Sequence, residues 1–341
     1  MKILILQLKR IGDLIQTTPA IHCLREAFPD AHLTLAVDSS CQTLLDAIPV
    51  DECWVQHKGA GWSGFFGFGP NAWMKRELPA FRGDFCLDFT GTDRSAWLTF
   101  SSSCQRRVTF ERFQKKFLRN FIYTDFVNSP VRDRHTADHY TDLLHPLGIS
   151  RENVPLDLRL PVTVEATARA LLASAGIIGS YALIHAGTAR PEKYWVPERW
   201  AQVMDFLTVE YGLKIVLTGS SDPVEQAHLA AIKDSFRGLC ADLSGQTNLL
   251  ELAALIRGAK LFCGVDTAAM HLADAMGTPS LALFGPTNPF HWKPRHTKSI
   301  ILRAEIKEPF SPDQKGGPMD QVSVESALDS VKTLLSQTRR L

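Results

Sequence analysis

The segment LKRIGDLIQTTPA, residues 8–20, places a carboxylate where a first strand gives way to a first helix. The apolar run KILILQ before it predicts a buried strand, and the helix is predicted to begin near Leu14. In an open α/β sheet the ligand crevice lies at the carboxyl ends of the strands, so Asp13 would face the crevice in which ligands bind and react. Asp is also a favoured N-cap residue, so the residues alone leave a purely structural role open.

A hydroxyl and two cations follow a predicted strand within LIHAGTARPEKYW, in the second half of the chain. Thr188, Arg190 and Lys193 would lie just beyond the strand, before VPERW opens a helix. These groups suit a phosphate, because charge-assisted hydrogen bonds to phosphate oxygens are strong. The alternative is a solvated loop whose basic residues bind nothing.

A third stretch, FCGVDTAAMHLADAMGTPSLALFGPT at residues 262–287, weighs against that alternative. Asp266 and Thr267 are candidate N-caps, and a helix from Ala268 would offer free backbone N–H groups at its positive end. A helix N-terminus can bind a diphosphate without a metal ion. Asp266 could instead be only a cap, and His271 only a buried core histidine.

Two other patterns are weaker. Gly59, Gly61 and Gly64 match a dinucleotide-binding fingerprint, but FFGFGPNAW follows them and cannot open the helix that this fingerprint needs. That segment is therefore predicted to be an aromatic-rich loop rather than an oxidoreductase site. His135 and His139 have i, i+4 spacing without a third ligand, so no metal site is predicted.

Composition bounds the class of protein. The 341 residues are 45% hydrophobic and 21% charged, which predicts a globular chain of two domains. The formal net charge of +1 argues against a wholesale nucleic-acid binder. The seven cysteines form no C-x-x-C pair, which fits a reducing cytoplasm. No run approaches the roughly 18 apolar residues of a membrane span, so membrane contact would be peripheral.

Apolar runs alternate with stretches of helical period, which is typical of parallel sheets covered by helices. Strands are predicted at residues 2–8, 32–37, 53–55, 85–89, 107–109, 181–185, 214–218, 261–264 and 280–284. Helices are predicted from Leu14, with Pro19 starting or kinking the first one, and at 165–175, 200–211, 249–257 and from Val324.

Between residues 101 and 120, six cations stand against one carboxylate, a local charge of +5. The cations are Arg106, Arg107, Arg112, Lys115, Lys116 and Arg119, and the carboxylate is Glu111. Such a run of charged residues usually lies on a surface exposed to solvent and binds nothing.

Together, IGDLIQTTPAI, HAGTARPEKYW and GVDTAAMHLADAMGTPSLALFGPT resemble the ADP-heptose:lipopolysaccharide heptosyltransferases of glycosyltransferase family 9. The W-K-P after NPFH, the KGAG loop and T-A-R are more similar to the heptosyltransferase III branch. The resemblance implies a GT-B fold, two Rossmann-like parallel-sheet domains facing a central cleft. Residues 1–160 would bind the acceptor, residues 161–323 the nucleotide-sugar, and residues 324–341 would form a C-terminal helix.

The resemblance also implies roles for individual residues. Asp13 would be the general base of an inverting, metal-independent transfer, and Lys193 would stabilise the leaving diphosphate. The family's nucleoside-contacting Glu falls at Pro223, so Glu225 or Asp222 would replace it. The other expected donor contacts are Thr188, Asp266, Thr267, Ala268 and His271. The expected acceptor contacts are Arg10, Arg112, Lys115 and Lys116, with Phe113 and Phe117 touching lipid.

The donor substrate would be ADP-heptose, with no further cofactor, and the acceptor a lipid-linked core oligosaccharide. The enzyme would be cytoplasmic, in peripheral contact with the inner face of the inner membrane. Alternatives are another nucleotide-sugar or acceptor, a GT-B sugar-nucleotide epimerase, and a non-catalytic binding protein. An epimerase would not need Asp13 beside an acceptor, and a binding protein would lack Asp13 or Lys193. The presence of both residues favours transfer.

Overall fold

The chain folds into two compact units, Met1–Arg159 and Leu160–Leu341. The structure is a computed structural model that describes residues 1–57, 69–115, 118–303, 309–314 and 316–338. The glycine-rich segment at residues 59–64, the KGAG loop, Lys116 and Phe117 lie outside the described residues. Each unit contains a six-stranded sheet in which every pair of neighbouring strands is parallel. The predicted α/β class with two Rossmann-like sheets is confirmed.

The first unit has the strand order β3-β2-β1-β4-β5-β6. Its strands are β1 Lys2–Gln7, β2 His32–Asp38, β3 Glu52–Gln56, β4 Phe85–Asp88, β5 Arg106–Phe110 and β6 Asp125–Val127. Its helices are α1 Ile11–Ala27, α2 Trp73–Arg76, α3 Leu78–Phe81, α4 Asp93–Ser101, α5 Arg119–Ile122 and α6 Thr136–Asp142. The order reverses between β1 and β4, where ligands bind in sheets of this kind.

The second unit has the strand order β12-β11-β10-β7-β8-β9. Its strands are β7 Tyr181–His185, β8 Lys214–Leu217, β9 Cys240–Asp242, β10 Leu261–Val265, β11 Ser280–Phe284 and β12 Ser299–Arg303. Its helices are α7 Val162–Ser174, α8 Pro197–Tyr211, α9 Pro223–Ser235, α10 Leu249–Gly258, α11 Ala268–Ala275, α12 Pro289–Trp292 and α13 Val324–Thr338. Here the order reverses between β7 and β10.

The central strands form where the sequence has near-continuous apolar runs, because helices cover both faces of a parallel sheet. Every residue of β10 and β11 is buried, and β1 exposes only Lys2. All nine predicted strands are present. The three that the sequence did not predict, β6, β9 and β12, are all edge strands. An edge strand is covered less completely, so a strong apolar run is not needed there.

Helix α1 differs from its prediction. It begins at Ile11 rather than near Leu14 and continues through Pro19. Proline has no N–H to donate to the carbonyl four residues earlier, which is that of Ile15. The Thr18 hydroxyl donates to this carbonyl over 2.7 Å and replaces the missing hydrogen bond. Pro19 therefore neither starts nor ends the helix.

The final helix, α13, packs on the second unit. Ala327, Val331 and Leu335 join a core that also contains Trp195 and Trp200. No helix among the residues described here is long and apolar enough to cross a membrane.

Candidate functional site

Asp13 lies in the first turn of α1, at the carboxyl end of β1. The N-cap position belongs to Arg10, whose side chain makes no capping hydrogen bond, so the interpretation of Asp13 as an N-cap is wrong. The Asp13 carboxylate instead accepts a hydrogen bond from the phenol of Tyr140, with 2.5 Å between Oδ1 and the phenol oxygen. Asp13 is half-buried. The side chain is held in place, yet part of it remains accessible.

Two neighbours of Asp13 were missed by the sequence interpretation. Tyr140 on α6 is only 2% exposed, and Lys9 donates from Nζ to the Tyr140 phenol oxygen over 3.2 Å. Burial raises the pKa of Tyr140 well above its usual value, and the charge of Asp13 adds to that effect. Burial lowers the pKa of Lys9, which the charge of Asp13 opposes. Lys9 stands in the quoted first motif, but nothing in the sequence connects Tyr140 with residue 13.

The basic stretch divides into internal and exposed cations. Arg106 pairs with Asp125, with 2.5 Å between Nη2 and Oδ1, and Arg107 donates to the carbonyls of Cys104 and Ile122. Arg119 is 2% exposed and donates to the Tyr123 hydroxyl, the Gly91 carbonyl and Asp93. These three cations have internal partners, so the local charge of +5 overstates the positive charge that is available to bind a ligand.

Arg112 and Lys115 belong to the exposed group and line a cavity of about 600 Å³ that also includes Ser129. The Arg112 guanidinium lies 4.7 Å from the ring centre of Phe113. Loss of hydration lowers the pKa of Arg112, while the nearby Tyr140 and Asp13 act in the opposite direction. Two of the four predicted acceptor contacts are thus brought to one cavity. Arg10 is exposed at the start of α1, and Lys116 is outside the described residues.

The two histidines of the H-x-x-x-H pattern have unrelated roles. His135 is the N-cap of α6 and accepts from the Ala137 backbone N–H over 3.2 Å. His139 is buried, stacks on Phe110 at 3.9 Å between ring centres, and shares a 2.7 Å hydrogen bond with Ser129. Burial and nearby cations lower the pKa of His139 to about 3, so the ring is neutral.

In the second unit, Lys193 and Asp266 form a buried ion pair. The Lys193 Nζ lies 2.5 Å from Asp266 Oδ2 and 3.0 Å from the Asp266 carbonyl oxygen. Lys193 ends the 3₁₀ turn Pro191–Lys193, and Asp266 directly follows β10. Both residues are less than a tenth exposed. Asp266 is therefore not the helix cap that the sequence left open, since its carboxylate pairs with a cation.

Thr267 is the N-cap of α11, but its hydroxyl makes no capping hydrogen bond. The Thr267 Oγ1 atom is buried and has no hydrogen-bond partner among the described residues. The helix begins at Ala268, so its first backbone N–H groups have no partner within the helix. His271, one turn further, is buried with its ring centre 6.0 Å from that of Trp292. The end of β10 thus presents amide donors and one buried hydroxyl.

Glu225 packs between the loops that follow β7 and β8. Its carboxylate accepts from the backbone N–H and the hydroxyl of Ser220 over 2.8 and 2.6 Å. A Cβ atom on Gly187 would lie 2.0 Å from Glu225 Oε1, so a larger residue there would displace the Glu225 side chain. Asp222 caps α9 through the N–H groups of Val224 and Glu225.

Thr188 is half-buried and accepts from the Arg190 backbone N–H over 3.3 Å, while Arg190 pairs with Glu192 at the surface. The predicted donor contacts thus follow three adjacent strands, in the order β10, β7 and β8. Parallel strands bring such loops to one edge of the sheet. Within the described ranges, no group of three or more His, Cys, Asp or Glu side chains could hold a metal ion.

Two Rossmann-like parallel sheets in one chain are the architecture of the GT-B class of glycosyltransferases. Residues 72–319 match the family described as "Glycosyltransferase family 9 (heptosyltransferase)". The chain belongs to this family and is a glycosyltransferase.

Curated relatives and a solved structure agree with this assignment. Lipopolysaccharide heptosyltransferase 3 of Escherichia coli K12 is 26% identical over 85% of this chain and 84% of its own length. Lipooligosaccharide heptosyltransferase 2 of Haemophilus influenzae is 25% identical over 99% of this chain and 100% of its own. The family 9 glycosyltransferase structure from Veillonella parvula has a TM-score of 0.86 at 26% identity, covering 98% of this chain and 97% of its own.

Proposed function

We propose that the protein transfers a heptose from ADP-heptose to a hydroxyl of the lipopolysaccharide inner core, with inversion and without a metal ion. The observation that carries the proposal is the buried Lys193 beside the N-terminus of α11. The names of the full-length relatives support the substrates, since they are lipopolysaccharide and lipooligosaccharide heptosyltransferases.

On the donor side, the diphosphate is placed against Lys193 and the first backbone N–H groups of α11. An ammonium and a helix N-terminus stabilise the negative charge that develops on the leaving diphosphate. The Thr267 hydroxyl is one further donor, because its oxygen has no hydrogen-bond partner among the described residues. Thr188, Ala268 and His271 line the rest of the donor site, and Glu225 contacts the nucleoside.

On the acceptor side, Asp13 removes the proton of the attacking hydroxyl. The acceptor oxygen forms a bond to the anomeric carbon as the bond to the diphosphate breaks, and the proton moves to the Asp13 carboxylate. Attack from the face opposite the leaving group inverts the anomeric centre. Residues 1–160 hold the acceptor in this proposal, and residues 161–323 hold the donor.

The test is to incubate the protein with ADP-heptose and truncated core acceptors, with and without EDTA, and to measure product mass. Addition of one heptose only when both substrates are present, unaffected by EDTA, is expected. Conversion of the nucleotide-sugar without any acceptor would favour the epimerase alternative instead. Activity lost to EDTA and restored by Mg²⁺ would contradict the metal-free diphosphate site.

The exposed cations of the first unit give a prediction about the acceptor. The double variant Arg112→Ala/Lys115→Ala should raise the KM for a phosphorylated core acceptor about tenfold, because each phosphate contact contributes on the order of 1 kcal/mol. The KM for ADP-heptose should stay unchanged, and added salt should reproduce the loss in the parent protein.

Lys214→Ala/Arg237→Ala is the matched control, since it removes two exposed cations from the second unit. An equal rise in acceptor KM in this control would show an effect of net charge alone. An unchanged KM and salt dependence in Arg112→Ala/Lys115→Ala would leave these cations as a solvated face.

Membrane contact is proposed through a different set of side chains from those that the sequence suggested. Phe113 is half-buried, with its ring packed on Gly91, where a Cβ atom would lie 2.1 Å from it, and Phe117 lies outside the described residues. Four large apolar side chains are exposed instead. They lie on α4, on α5 and directly before α5, and these two helices pack together. This apolar patch consists of Trp97, Phe100, Leu118 and Phe121, exposed by 46, 62, 69 and 64%.

Aromatic and leucine side chains beside cations are typical of surfaces that bind anionic membranes, and Lys115 lies three residues before Leu118. Trp97→Ser/Phe121→Ser should lower partitioning onto phosphatidylglycerol vesicles tenfold or more, because it removes two apolar side chains. Co-sedimentation measures the bound fraction. Ile178→Ser/Val209→Ser, at positions 84 and 77% exposed in the second unit, is the control and should bind like the parent. Equal losses in both variants would contradict a specific patch.

A further inference from the structure

We propose that Tyr140, held by Lys9, is a positioning residue for Asp13 that reserves one of its carboxylate oxygens for the acceptor hydroxyl. The inference rests on the proposed role of Asp13 as the base. It concerns two residues that lie 131 positions apart in the chain yet are joined by one hydrogen bond, 3.2 Å long.

The direction of the two hydrogen bonds follows from the chemistry of the groups. The Lys9 ammonium has donors but no acceptor, so in the 3.2 Å contact the phenol oxygen must accept. The single phenol proton then has to point to Asp13, 2.5 Å away. Lys9 therefore fixes Tyr140 as a donor to Asp13 Oδ1.

Tyr140 can hold Asp13 in one orientation because its own ring is packed on all sides. The ring is almost fully buried, with its edge against Phe89 at 5.7 Å between ring centres. Burial and the charge of Asp13 raise the pKa of Tyr140, so the phenol keeps its proton throughout the working range of pH. The backbone of Asp13 is held as well, since Thr17 donates to its carbonyl over 2.8 Å.

The consequence for Asp13 is that its two oxygens are no longer equivalent. Oδ1 accepts from Tyr140, whereas Oδ2 accepts no hydrogen bond from any described residue. A base must present a lone pair within hydrogen-bond reach of the proton that it removes. The contact with Tyr140 thus occupies Oδ1 and leaves Oδ2 for the acceptor hydroxyl.

A second group in the same unit has the same chemistry and supplies a matched control. Tyr123 donates to Asp88 Oδ2 over 2.5 Å and accepts from Arg119 over 3.2 Å. It is also a buried phenol between a cation and a carboxylate, 3% exposed. The proposal gives this group no role in the reaction. Loss of the Tyr123 hydroxyl therefore measures what a buried phenol contributes to the fold alone.

The test is Tyr140→Phe against Tyr123→Phe in the full-length protein. Tyr140→Phe should lower kcat on the order of 30-fold, as loss of a hydrogen bond to a charged group does, with both KM values within about twofold.

Lys9→Met keeps the Tyr140 phenol but removes the donor that fixes the direction of its hydrogen bond. It should therefore lower kcat less than Tyr140→Phe does. Tyr123→Phe should keep the parent kcat. Tyr140→Phe with parental kcat overturns the inference, as does an equal fall in Tyr123→Phe. If Tyr140→Phe does not fold, parental kcat in Lys9→Met overturns it. A parental kcat in Asp13→Asn would instead overturn the proposed base, so the two failures are distinguishable.

Discussion

Asp13→Asn is expected to lower kcat by about two orders of magnitude or more while the fold is retained, as loss of a general base does. The amide has nearly the same shape as the carboxylate and still accepts from the Tyr140 phenol through its oxygen. It cannot take the proton of the attacking hydroxyl, however. Turnover at saturating donor and acceptor measures the effect, and circular dichroism and the Tm check the fold.

Asp93→Asn is the matched control for this variant. Asp93 also lies in the first turn of a helix, α4, and its side chain is 77% exposed. Its own carboxylate is largely in water, whereas its partner Arg119 is buried, so losing the charge should lower stability but leave turnover near the parental value. Near-parental kcat in Asp13→Asn would return Asp13 to a structural role in α1.

Lys193→Ala is expected to weaken ADP binding tenfold or more and to lower the free energy of unfolding by about 3 kcal/mol. Both effects have one cause, because Lys193 is the proposed diphosphate cation and the only described partner in an ion pair with Asp266. Its removal leaves Asp266 as an uncompensated buried charge. Calorimetric titration with ADP and denaturant unfolding measure the two effects separately.

A second substitution separates binding from stability. Lys193→Ala/Asp266→Asn has no uncompensated charge, so it should recover much of the stability and none of the ADP affinity. Arg190→Ala, which removes an exposed cation from the same loop, should change neither quantity strongly. Parental ADP affinity in both Lys193 variants would contradict the placement of the diphosphate at α11.

The sequence predicts the features that depend on residues close together in the chain. The central strands follow from apolar runs, and the sequence singles out Asp13, Lys193 and Thr267 because each follows a predicted strand. The start of α1 was misplaced because Ile11 and Gly12 carry no start signal, and the path through Pro19 depends on the hydroxyl of Thr18.

What the sequence could not predict depends on contacts between distant residues. Tyr140 reaches Asp13 across 127 positions. The charge of +5 counted along the basic stretch overestimates the unpaired charge for the same reason, since Arg119 pairs with Asp93 across 26 positions. A count of charges along the chain does not show which of them are already paired inside the fold.

The strand orders of the two sheets have one more consequence. When the strands of each unit are counted from its own beginning, both sheets have the order 3-2-1-4-5-6. Asp13 follows the first strand of its sheet, and Lys193 follows the first strand of the other. The proposed base and the proposed diphosphate cation are thus topological counterparts. The same strand order, repeated along the chain, positions the proposed proton acceptor in the first unit and the proposed anion-binding cation in the second.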